Sequence, residues 1–209
     1  MVDRVTTEDS VDPTTQYVEP AVSRTKFDAE VAAFRALARE HMARGWWLLE
    51  AEFPGVFVVF AAPQLHPPAV VLGVQVDFTN YDLDAPSVVL VDPFTRQPYR
   101  AKELPTNLPR RQPLELPFGG AAMPVQMIQA VPLMQALDGD EVPFLCVPGV
   151  REYHRHPAHT GDSWLNHRGT GEGTLFHILN IIYQYGVQPI REYGLALRVS
   201  GFRQGEPPA

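Results

Sequence analysis

WWLLEAEFPGVFVVFAAPQLHPPAVVLGVQVDFTNYDLDAPSVVLVDP, residues 46–93, decides the fold. It holds four apolar runs: 46–54, 56–63, 69–78 and 87–93. Each is of strand length, and each is bounded by Pro, Gly or Asp. Val, with Phe and Trp, dominates them, side chains that fit a pleated, half-buried surface. Runs this short, joined by turn residues, predict an antiparallel four-strand meander.

The meander is preceded by FDAEVAAFRALAREHMARG. Apolar residues at Phe27, Val31, Phe34, Leu37 and Met42 follow a helical stripe, with Gly45 as a stop, so a helix is expected over about 26–44. A second helix is expected in GTLFHILNIIYQYG, with Thr174 as N-cap and Gly186 at its end. LALRVSGF (195–202) reads as a further strand. Helix first, strands next, helix last gives an α+β class rather than an alternating α/β one.

Many of the 21 prolines sit between 93 and 143. Proline fixes φ and removes a backbone donor, so this part is expected to be neither a regular helix nor a central strand. It reads as an insertion, about 93–142, that wraps the surface of a single domain spanning about 25–203. Residues 1–24 are polar and aperiodic, a disordered tail by composition, and 204–209 form a second tail.

The chain of 209 residues has a net charge of −7 and no basic block, which argues against nucleic acid or an anionic membrane as partner. A lone cysteine excludes an internal disulfide, and there is no signal-like N-terminus and no spanning apolar run. These features together predict a soluble cytoplasmic protein.

Chemistry concentrates in FLCVPGVREYHRHPAHTGDSW, residues 144–164. Five of the seven histidines lie between 154 and 177. Cys146, Glu152, His154, His156 and His159 offer thiolate, carboxylate and imidazole, the donors that suit Zn²⁺. Were this stretch extended, Glu152, His154 and His156 would share a face, with Asp162 orienting a ligand imidazole from behind. The competing readings are an exposed polar strand with Cys146 as a small buried hydrophobe, and Cys146 as a nucleophile served by a neighbouring histidine. His177 is expected in the core or at its rim; His41 and His66 carry no signal.

The element order resembles the ubiquitin-conjugating enzyme fold. Tyr81, Pro86 and Val88 in DFTNYDLDAPSVVLVDP resemble its segment between the third and fourth strands. Cys146 falls where that fold keeps its catalytic cysteine, and Trp164 with the following helix resembles its downstream part. The chain departs in its long insertion and in lacking His-Pro-Asn before Cys146. The pattern C-x5-E-x-H-x-H-P-x-H-x-G-D-x-W is more similar to a bacterial family named for a Cys-Glu-His-His metal-binding set. Its members accompany ubiquitin-like proteins, activating-enzyme-like proteins and JAB-type peptidases. That resemblance implies Cys146, Glu152 and two of the three histidines as ligands, with His154 and His159 preferred and His156 able to replace either.

The expected function is therefore a metal-binding protein, with zinc the simplest metal, of a bacterial ubiquitin-like modification system. The alternatives are a conjugating-type enzyme carrying a thioester on Cys146, and a non-catalytic adaptor docking partners through the insertion and AAMPVQMIQAVPLMQAL (121–137).

Overall fold

The computed structural model describes residues 15–113, 128–159 and 161–194. The expected meander is present: β1 (Trp46–Glu52), β2 (Gly55–Ala62), β3 (Ala69–Asp77) and β4 (Ser87–Val91) form one antiparallel sheet in chain order. Its register places Phe60 opposite Leu72, Val58 opposite Val74, and Val74 opposite Leu90. These residues face the main core. On the other face Phe57, Val59 and Val91 form a smaller cluster, and the Arg96 guanidinium lies 4.5 Å from the Phe57 ring. Burial on both faces explains why β2 reads as an unbroken apolar run.

Helix α1 (Pro20–Ala36) packs Phe27, Val31 and Phe34 into the core. It begins six residues earlier than periodicity suggested, because Pro20 is pre-set for the first helical turn. The chain before it is tied down as well. Asn80 Oδ1 accepts the backbone N–H groups of Tyr17 and Val18 at 2.8 and 3.0 Å. The expected tail therefore holds for none of residues 15–24, and residues 1–14 lie outside those described. The helix breaks at Leu37, and α2 (Ala38–Ala43) starts in a new phase. That rotation puts Leu37 and Met42 outside and turns His41 inward. The His41 ring stacks between Phe34 and Trp46, with centroids 4.1 and 5.0 Å away, and burial lowers its pKa. Gly45 stops the helix as expected: it has φ +84°, and a Cβ there would lie 2.2 Å from the Ala61 carbonyl oxygen.

The proline-rich insertion does more than wrap the surface. Its β5 (Pro109–Pro113) and β6 (Ile128–Pro132) pair as a two-stranded ladder with prolines at the ends, where a missing N–H costs least. Leu108, Leu133 and Met134 enter the core. Short strands β7 (Met134–Gln135) and β8 (Phe144–Leu145) then deliver the chain to Cys146, whose N–H donates to the Leu133 carbonyl at 2.7 Å.

The stretch after Cys146 is not extended. Residues Arg151–Arg155 form α3, Pro157–His159 a 3-10 turn, and Trp164–His167 the short α4. The last α-helix among the described residues, α5 (Leu175–Ile182), buries Leu175, Ile178, Leu179 and Ile182 along one face. Thr174 caps it, accepting the His177 N–H at 3.3 Å. Gly186 does not end the helix; the chain continues as a π-turn to the buried Val187. His177 sits half-buried at the rim. The strand expected at 195–202 lies outside the described residues, as does 121–127 of the apolar insertion segment.

Arg151 locks α3 to the sheet. The residue is 4% exposed, and its side chain donates to the carbonyls of Ala85 at 3.0 Å and Thr79 at 2.6 Å, and to the Asp77 carboxylate at 3.2 Å. Its backbone N–H donates to Pro86 O at 2.9 Å. Removing a buried cation with several acceptors strands each of them. Arg151→Ala is expected to lower unfolding free energy by about 2–4 kcal/mol in a denaturant titration, and Arg151→Lys to recover only part of it, since lysine lacks the planar fork.

Candidate functional site

Three pieces of chain meet behind β8: the Cys146 turn, α3 with the following 3-10 turn, and α4 with the glycine-containing loop after it. Gly149 makes the closeness possible. It has φ +92°, and a Cβ there would sit 2.4 Å from the Glu172 carbonyl oxygen, so only glycine lets the first piece lie against the third.

The five expected ligands do not gather at one point. Cys146 Sγ lies 3.2 Å from His159 Nε2. Glu152 turns away to β4, where it accepts from the Ser87 hydroxyl and, at 3.4 Å, from the Val88 N–H. His156 stacks on Phe144 with centroids 5.0 Å apart, and its Nδ1 accepts the Ala158 N–H at 3.2 Å. His154 is held by backbone on both sides: Nδ1 donates to the Asp162 carbonyl at 2.9 Å, and Nε2 accepts the Gly149 N–H at 3.2 Å. The physical reason is α3. A helix advances about 100° per residue, so positions two apart, which a strand would align, diverge.

A continuous polar chain replaces the expected cage. The His159 ring stacks on Tyr153 with centroids 3.9 Å apart. Tyr153 donates its phenol to Asp162 Oδ2 at 2.7 Å, and its pKa is pushed up to about 12, by burial first and then by Asp162. The other Asp162 oxygen, Oδ1, accepts from His167 Nε2 at 2.6 Å. His167 Nδ1 donates to Glu172. Between two carboxylates the His167 imidazole is held above its usual pKa, chiefly by Asp162, while His167 in turn holds Asp162 below the usual carboxylate range.

His167, Tyr153 and Glu172 were not singled out by sequence reasoning. Asp162 and Glu172 stand five residues either side of His167, a spacing that belongs to no helix face or strand face. They meet because the chain turns back between them, with Gly169 and Gly171 at positive φ. The one available signal was that five of the seven histidines cluster between 154 and 177.

Chemically, Cys146 and His159 form a thiol with a base in contact. Sγ is half-buried, and that burial raises the thiol pKa, with partial relief from Arg110. A raised thiol pKa favours the protonated form, so an attack by this sulfur would require its proton to leave before or with it. Among the described residues no helix is long and apolar enough to cross a membrane.

The sequence profile of the Y4jH-like family, described as the Y4jH family, matches residues 18–190. An uncharacterized protein, y4jH, of Sinorhizobium fredii (strain NBRC 101917 / NGR234) is 47% identical over 193 residues, covering 90% of this chain and 93% of that protein.

Alkylation of Cys146 by iodoacetamide should be slow at neutral pH. The rate should climb with a midpoint above the roughly 8.5 of an unperturbed thiol. A pH–rate profile saturating below that value would contradict the burial argument.

Proposed function

The chain belongs to the Y4jH family, and we propose that it is an acyl-carrying enzyme of a bacterial ubiquitin-like modification system, working in the cytoplasm with Cys146 as acceptor. The observation that carries this reading is the 3.2 Å approach of Cys146 Sγ to His159 Nε2. The order of helix, four-strand sheet, cysteine segment and closing helix supports a conjugating-enzyme-like assignment. The resemblance of the C-x5-E-x-H-x-H-P-x-H pattern to proteins encoded beside ubiquitin-like modifiers supports the partner class.

The step is a thiol exchange. Cys146 Sγ attacks the carbonyl carbon of a ubiquitin-like protein carried as a thioester on an activating-enzyme-like donor. The new S–C bond forms as the bond to the donor sulfur breaks. His159 Nε2 takes the Cys146 proton and returns it to the departing donor thiolate. Tyr153, stacked on the His159 ring and tethered to Asp162, fixes the imidazole plane during the transfer. No His-Pro-Asn motif precedes Cys146 to supply an Asn for the developing oxyanion, which places more of the work on proton transfer.

The test is reconstitution with the ubiquitin-like protein, its activating enzyme and ATP. A thiol-sensitive adduct is expected on the wild-type chain. Cys146→Ser should lose it or convert it into a thiol-resistant ester. His159→Ala should slow its formation about 10²–10⁴-fold. A thiol-sensitive adduct unchanged in Cys146→Ser would overturn the proposal.

A further inference from the structure

We propose that His154, Asp162 and His167 hold one divalent transition-metal ion of the Zn²⁺ class, without Cys146 as a ligand. One ligand atom from each of the three lies within 4.8 Å of the others. Tetrahedral Zn²⁺ with bonds of about 2.0 Å spaces its ligand atoms about 3.3 Å apart, so closure needs side-chain shifts of about an ångström. The donors come from α3, the loop after it and α4, so an ion would cross-link three separate pieces of chain.

What distinguishes this group from a chance meeting of polar residues is the support behind each donor. Glu172 holds His167 Nδ1, leaving Nε2 directed at Asp162. Tyr153 holds one Asp162 oxygen and leaves the other to His167. The Asp162 carbonyl accepts from His154 Nδ1 and can keep orienting the ring while Nε2 exchanges the Gly149 N–H for the metal. A histidine ligand oriented by a carboxylate or a carbonyl is the usual outer arrangement of a transition-metal site. The Asp162 and Glu172 carboxylates both lie against His167, and a divalent ion would offset their negative charge. On binding, the Nε2 proton of His167 goes to solvent, and the 2.6 Å hydrogen bond to Asp162 is replaced by two bonds to the ion.

Two histidines and one carboxylate leave coordination positions for water or a substrate atom. The ion would also fix Asp162, and through it Tyr153 and the His159 ring. The site stands apart from the thioester reading, since Cys146 takes no part in it, and either can fail alone.

The full-length chain should be loaded with Zn²⁺, dialysed and measured by plasma mass spectrometry. A parallel Co²⁺ titration should be followed by visible absorption. About one ion per chain is expected in the wild type and in Cys146→Ser. Affinity should fall at least tenfold in His167→Gln, Asp162→Asn and His154→Gln, and roughly 10–100-fold in Glu172→Gln, which removes only the support. Circular dichroism identifies variants that fold, and Asp162→Asn decides should His167→Gln not. No stoichiometric metal in the wild type would overturn the proposal. So would metal lost in Cys146→Ser, or metal retained in Asp162→Asn.

Discussion

The position of the Cys146 segment depends on one buried guanidinium. Arg151 reaches back from α3 into the loop between β3 and β4 and satisfies the carbonyls of Ala85 and Thr79 together with the Asp77 carboxylate. A fork of N–H donors suits several acceptors at once, which a lysine point charge does not. With α3 fixed on the sheet, Tyr153 and His154 project toward the chain that follows, and Glu152 toward β4. Trp164 adds a second tether, its indole N–H donating to the Asp82 carbonyl at 2.9 Å. Both tethers end on the same β3–β4 loop, so the loop, α3 and α4 are held together.

A third junction joins this region to the opposite side of the core. Glu30 of α1 accepts from the Tyr81 phenol at 3.3 Å and from the Leu175 N–H at 3.0 Å. One carboxylate thereby links the first helix, the β3–β4 loop and the start of the last helix, and burial raises its pKa. Glu172 and Thr174, just before α5, inherit that placement. The His167–Glu172 contact therefore rests on packing that begins near the N-terminus.

The fold was readable where periodicity and punctuation were strong. Three strands fall within the apolar runs and β2 exceeds its run by one residue, Gly55, since Pro54, Gly55, Pro63 and Pro93 mark the limits. Thr174 and Gly45 were readable as cap and stop from local backbone chemistry. The early start of α1 was not, because residues 20–26 carry no apolar stripe and owe their helix to Pro20 and to Asn80 holding the segment before it. Nor was the phase break at Leu37, which exchanges Met42 for His41 in the core. The insertion was legible as irregular, but Leu108, Leu133 and Met134 are spread among prolines, and nothing local marks them as core residues.

By itself, then, the sequence determined an α+β chain with an antiparallel meander, and a segment around Cys146 enriched in histidine. Short apolar runs punctuated by Pro, Gly and Asp suffice for that, because strands and their limits are local properties. Tertiary structure alone decided the pairings within that segment. Helix α3 separates Glu152 from Cys146, the 3-10 turn brings His159 to the sulfur, and the return of the chain carries His167 to Asp162 and Glu172. Those pairings follow from helix phase, from the closeness that Gly149 permits and from long-range anchors such as Arg151, and residue spacing encodes none of the three.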